Sequence, residues 1–348
     1  VFDKTKKIFI IMTRKEVKMG EKCGYIDKMG KMVIKPEYWD KAMSFHEGFA
    51  AVARNGCWGY IDKTGKRVIN PQFPTDSAEN FFDGLAILCE YFLEATHYNR
   101  CKCGYINKTG KWVIKPQFKQ SRDFSEGLAA VNEYGKWGYI DRKGKWFVEP
   151  QFYDAWSFHE GLAAVGIGVY PFTKWGYIDK TGKIAIAPKF CSAGDFSEGL
   201  AKVTKHSWLK NKCGYIDKTG KWVIKPQFDE AEAFSEGLAA VSKGGKWGYI
   251  DKNGKMVIKL RFYYAGKFSE GLAAVRQTSE KYAYIDKTGK VIIESQFDYA
   301  GDFSERLATI EINDKYGFID KMGKIVVKPQ FYHAGDFSEG LAAVSIKD

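Results

Sequence analysis

Three observations predict an all-β chain built of tandem repeats. A block of about thirty residues, written KCGYIDKTGKWVIKPQFDEAEAFSEGLAAV at 212–241, returns nine times along the 348 residues. Within each block, short runs of Trp, Tyr, Ile and Val alternate with Gly- and Asp-containing turns. Hydrophobic content of 45% and aromatic content of 16% supply an ordered core rather than a disordered tail.

The GYID element starts at Gly24, Gly59, Gly104, Gly138, Gly176, Gly214 and Gly248, and recurs as AYID at Ala283 and GFID at Gly317. Its spacing of 34–45 residues allots one supersecondary unit to each copy. WGYID and KWVIKP read as strands A and B, joined by DKTGK, whose Gly takes the positive φ of a tight hairpin. The Pro that follows in most copies, such as Pro116 and Pro226, removes a donor and is expected to end strand B. About eleven residues of crossover, as in QFDEAEAFSEG, then lead to LAAV, strand C. The expected unit is therefore a three-stranded meander in the order C, A, B.

Both faces of these strands are apolar, so the sheets must stack face to face. Small residues (Ala239, Ala240) on strand C and large ones (Trp112, Trp146, Trp222) on strand B suit sheets converging on an axis, as in a β-propeller. The alternative is an open superhelical stack. The ends favour closure: residues 1–10 resemble 284–293 and supply an extra hairpin, while the chain finishes on a strand C at 341–344. The whole of 1–348 thus reads as one repeat domain of nine complete units plus a partial N-terminal one, 1–23, pairing with 341–344. That arrangement gives ten sheets, with Val17 in a shortened strand C.

KWGYID at 136–141 and 246–251, with EGLAAV closing each unit, resembles the WG repeat family, also called KWG repeats, found mainly in bacterial proteins. The resemblance covers essentially the whole chain. It implies an interaction module and transfers no catalytic residue. Cys23, Cys103, Cys213, Tyr282 and Tyr316 replace the motif's Trp, which indicates a position that wants bulk rather than chemistry.

Other features bound the function. Lysines and arginines exceed acidic residues by 54 − 42 = +12, but the excess is spread over the repeats, which reads as a solvated rim rather than a nucleic-acid track. No apolar run approaches the length of a membrane helix, so membrane insertion is not expected. Seven cysteines, an odd number over a long chain, read as buried thiols, which leans towards a reducing, cytoplasmic setting. The chain begins at Val1, so an export signal removed upstream would instead place it in the periplasm or at the cell surface.

Chemistry is sparse. His46 and His159 replace Ser in the FSEG element and read as turn residues. The recurring Glu of that element (Glu126, Glu160, Glu198, Glu236, Glu270, Glu339) reads as a cap on a backbone N–H. Cys89, His97, Cys101 and Cys103 gather in the longest insertion, but their Cys-x-Cys spacing departs from a zinc knuckle, so no metal is assigned. No cofactor motif is present, and an enzyme is not expected.

Strand C normally returns to strand A through five or six residues, yet this loop lengthens at 89–102, 166–174 and 204–212. Because the insertions share one loop, they share one face, and they carry Tyr91, Phe92, Tyr98, Tyr170, Phe172 and Trp208. These six are the expected binding residues of a non-enzymatic scaffold for a protein or peptide partner. Glycan or cell-wall binding is the alternative, since the aromatic hairpins are similar to those of choline-binding wall proteins. Nucleic-acid binding and structural self-assembly follow.

Overall fold

The computed structural model describes residues 21–37, 39–75, 78–91, 101–205, 211–278 and 280–347. Every regular element among them is a β-strand. The strands form nine antiparallel sheets, eight of four strands and one of three. Blade 7 shows the pattern: Glu230–Ala231, Leu238–Lys243, Lys246–Asp251 and Met256–Phe262, in that spatial order. The last three are the expected C, A and B. The first, a short strand, comes out of the predicted crossover, because the segment runs back beside strand C and pairs Glu230 with Ser242 and Ala231 with Val241.

Blades are numbered here by the order of their third strands, from blade 1 (Glu21–Asp27) to blade 9 (Lys315–Asp320). In blade 3 the first strand is reduced to a single bridge between Ala78 and Leu88. Burial grades across each sheet. In blade 4 every residue from Leu128 to Asn132 of the second strand is buried, whereas the fourth strand of the same blade, Trp146–Phe152, exposes alternate residues. The small, sealed strands therefore face the axis and the Trp-bearing ones the perimeter.

Nine hydrophobic clusters fill the spaces between nine blades, which decides between ring and open row, since an open row of nine has one interface fewer. The closing contacts are explicit. Tyr25 and Leu341 of blade 1 pack with Trp39 and Phe45 of blade 2. Ile26 and Val344 of blade 1 pack with Phe318 and Phe331 of blade 9. Blade 1 itself joins the two ends of the described chain, Leu341–Lys347 pairing antiparallel with Glu21–Asp27 from Leu341↔Asp27 to Lys347↔Glu21. The ring thus closes with nine blades, not ten. The strand that receives the C-terminal one is that of the Gly24 hairpin, and residues 1–20, with the expected hairpin at 1–10 and Val17, lie outside the described residues.

Two residues of GYID explain the repeat. The Tyr is sealed between blades, and its hydroxyl donates to a backbone carbonyl of the next blade's crossover, as in Tyr139 to Trp156 O (2.8 Å) and Tyr249 to Gly266 O (2.8 Å). Burial pushes these phenols far above their usual range. The preceding Gly is a close-approach position: a Cβ on Gly138 would stand 2.5 Å from Val148 O and 2.8 Å from Pro150 N. The fourth strand crosses over the third at this point. Strand B accordingly does not stop at its Pro. It runs on to the following Phe through a register shift, and the Pro sits in the bulge, where no ladder donor is needed. Blade 8, which carries Ala283 in place of the Gly, has Ser295 in place of the Pro.

Candidate binding face

The two ends of the ring are built differently. One end carries the turns between first and second strands (SEG) and between third and fourth strands (DKTGK). Asp217 Oδ1 closes the latter turn, accepting from Thr219 N (2.9 Å) and Lys221 N (3.1 Å). The SEG Glu adopts positive φ, 54° at Glu236, and reaches to the next blade. Glu236 accepts from Gly271 N (3.0 Å) and pairs with Lys287 Nζ (3.0 Å).

The same arrangement passes around the ring. Glu305 meets Gly340 N and Lys28, and Glu339 meets Gly48 N and Lys63, across the closing blade. At eight interfaces a turn lysine pairs with the preceding blade's Glu. At the ninth, Asp83 accepts from Gly127 N (2.8 Å). The sequence expectation of a backbone cap holds, but the capped N–H belongs to the neighbouring blade. Partial burial works against ionisation of Glu126, Glu160, Glu236 and Glu270, but hydrogen bonds from the lysine and the next blade's N–H outweigh it and hold them below the usual carboxylate range.

Ser of the same element adds a second link, donating to the next blade's carbonyl, as Ser235 Oγ does to Phe268 O (2.7 Å). His46 Nδ1 makes the equivalent contact with Phe81 O (2.5 Å), while His159 instead lies 3.5 Å from Asp195. Both histidines therefore serve as links between blades.

The opposite end carries the loops from second to third strand. Where they are minimal they are two-residue hairpins with positive φ at both positions: Asn55-Gly56, Tyr134-Gly135, Gly244-Gly245 and Asn313-Asp314. These are shorter than expected, because the flanking strands extend to the turn. Of the expected binding residues, Tyr170 and Phe172 lie in the loop of blade 5, are 62% and 77% exposed, and stand beside Val169 at 64%. Tyr91 ends the second strand of blade 3. Phe92, Tyr98 and Trp208 lie outside the described residues.

At the base of the blade 3 loop, Cys89 is bonded to Cys103, directly opposite it on the paired strand. This corrects the reading of Cys103 as a buried thiol and removes that support for a reducing compartment. Cys213 does occupy the Trp position as a buried thiol, 3.5 Å from Thr204 Oγ1. The sulfurs of Cys89, Cys101 and Cys103 lie within 4.8 Å of one another, with two of them in the bridge.

Elsewhere near the inner strands, Tyr264, Tyr282, Tyr299, Tyr316 and His333 form a run of ring contacts with centroids 5.5–6.2 Å apart across blades 8, 9 and 1. Tyr282 and Tyr316 hold the Trp position there, so it contributes to a continuous aromatic surface as well as bulk.

A closed ring of nine small antiparallel blades, each linked to the next by the same turn, is a nine-bladed β-propeller. The chain belongs to the WG containing repeat family, which it matches in nine consecutive segments: 24–56, 58–90, 104–137, 137–168, 175–207, 214–247, 247–282, 282–316 and 316–348. No curated protein matches it in sequence. Among solved structures it is similar to a eukaryotic initiation factor, with 11% identity and a TM-score of 0.62 over 88% of this chain and 95% of that one. It also aligns with apo AztD from Citrobacter koseri, with 11% identity and a TM-score of 0.42 over 94% of this chain and 97% of that one. At such identity the first likeness is one of fold.

Proposed function

We propose that the propeller is a non-enzymatic scaffold that holds a protein or peptide on its loop-bearing end. The observation that carries this reading is the tip of the blade 5 loop, where Val169, Tyr170 and Phe172 stand more than half exposed within four residues. These large side chains are not members of the hydrophobic clusters on either side of blade 5, and aromatic clusters of this kind supply the hot spots of recognition surfaces. Two observations weigh against the other readings. One turn lysine at each of eight interfaces is paired with a carboxylate, and a closed ring presents no uncapped terminal blade.

The test compares the intact chain with a Val169→Ser, Tyr170→Ser, Phe172→Ser variant. Partners captured by the intact chain are identified, and their affinity is then measured directly. A partner bound through this face loses roughly tenfold or more in affinity. Equal affinity for both chains would place binding elsewhere.

The Tyr264 to His333 run favours a second reading, glycan binding. Tyr264 and Tyr299 remain 37% and 42% exposed along it. Quenching or enhancement of tyrosine and tryptophan fluorescence by soluble wall polysaccharide, abolished in Tyr299→Ala, is the expected result. No spectral change would remove it.

A further inference from the structure

The nine copies act as internal controls for one another, and blade 4 departs from the rest at positions that converge. The residue that is alanine in every other copy, Ala155 and Ala231 for example, is Ser121. The next residue, glycine in four copies (Gly194, Gly266, Gly301 and Gly335), is Arg122. At the end of the second strand, a position that varies from Ala53 in blade 2 and Gly166 in blade 5 to Ser242 in blade 7 and Glu311 in blade 9, stands Asn132. All three line one cavity of about 620 Å³ where blades 3, 4 and 5 meet, together with Glu79, Lys119 and Asp154. That volume lies within the range of small-molecule sites, about 300–1,000 Å³.

The walls are charged in both senses and held in place. Arg122 donates from Nε to Ala155 O (2.7 Å) and from Nη2 to Asp154 Oδ1 (3.2 Å), with its guanidinium over the rings of Trp137 (4.9 Å) and Trp156 (4.1 Å). Its position is set by the blade 5 backbone, and Nη1 remains for another group. Asn132 is 5% exposed, and its Oδ1 has no hydrogen-bond partner among the described residues. An unmet acceptor at that depth is costly unless a donor from within the cavity reaches it.

Several ligand classes fit poorly. A sugar stacks on a free aromatic face, and with Trp137 covered by Arg122 the lining offers only Tyr153 for that contact. A simple anion would meet Glu79 and Asp154. A neutral apolar molecule would leave the Asn132 acceptor unmet.

We propose that this cavity binds a small zwitterion of the α-amino-acid type, its ammonium donating to Asn132 Oδ1 on the Glu79 side and its carboxylate received by Lys119 and Arg122. Close by, burial, and after it the carboxylate of Glu79, pushes the Asp123 carboxyl up to about 7. The assignment stands apart from the loop-face reading and survives its failure.

The experiment is thermal unfolding of the full chain with free L-alanine, L-glutamine and L-lysine, with their N-acetyl amides, and with glucose and inorganic phosphate. At least one free amino acid raises Tm by about 3 °C or more at saturation, whereas its blocked form, lacking both charges, does not. Asn132→Ala and Arg122→Gly, which install residues other blades carry at these positions, abolish the shift while still unfolding cooperatively. The proposal is overturned if no free amino acid shifts Tm, if blocked forms act equally, if both variants keep the response, or if only glucose or phosphate stabilises.

Discussion

The turn end and the loop end of the ring are made from the same strands, yet one is nearly invariant and the other varies freely. At the turn end, Glu236 is tied to Gly271 N and Lys287 of the following blade, so its geometry is shared by two repeats and cannot change in one alone. At the loop end, a hairpin such as Tyr134-Gly135 closes on strands of its own blade, and replacing it disturbs no neighbour. Sequence variation is therefore permitted where hydrogen bonds stay within a blade and suppressed where they cross between blades. A ring of this kind has one end fixed by contacts between blades and another free to vary.

The contrast is sharpest when the structural end is cut. Glu198→Ala, Glu236→Ala and Glu270→Ala together remove three adjacent links, each a charged hydrogen bond plus an ion pair with side chains partly exposed. At roughly 1–2 kcal/mol each, the combined loss is about 3–6 kcal/mol, read from the urea midpoint at constant m. A loss below about 1 kcal/mol would mean that the ring is held by its apolar interfaces alone.

A smaller effect is expected from the one covalent tie at the loop end. Cys89→Ser with Cys103→Ser opens a bridge between residues 14 apart, destabilising by about 2–4 kcal/mol. Thiol titration of the unfolded, unreduced protein should find five thiols rather than seven. Finding seven would show that the bridge is absent.

Acid tests the turn end more gently. Carboxylates held below their unfolded value of 4.5 contribute stability that is fully present above it and lost as pH falls through their folded values. Tm should therefore fall between about pH 5 and 3, and less steeply in the triple Glu variant. Asp123 has the opposite sign, since its carboxyl is raised to about 7. Asp123→Asn should raise Tm most at pH 8, less at pH 5 and little at pH 3, and a variant less stable at pH 8 would contradict that assignment.

The smallest effect belongs to the free end. Replacing 168–173 by Asn-Gly should move stability by less than about 0.5 kcal/mol, by urea unfolding, because the large side chains of this loop are more than half exposed. A larger loss would make the loop part of the fold rather than of a binding face.

The repeat, the β class, the hairpin turns and ring closure through the terminal strands were all legible in the sequence, because each rests on local chemistry repeated nine times: Gly at positive φ, alternating apolar strands and Asp-capped turns. Tyr170 and Phe172 were legible as exposed residues because they interrupt that pattern. Ser121 could have been found the same way, by comparing the nine alanine positions.

What only the tertiary structure decided depends on register and on neighbours. The fourth strand of each blade was hidden in a crossover whose pairing partner lies one strand ahead. The count of nine rather than ten followed from which hairpin the last strand meets. The Glu of SEG showed its link only once two blades stood side by side, and the cavity exists because Glu79, Asn132 and Asp154, on three blades, face a common space. Local sequence specifies the unit, whereas the contacts between units arise only when the ring brings distant residues together.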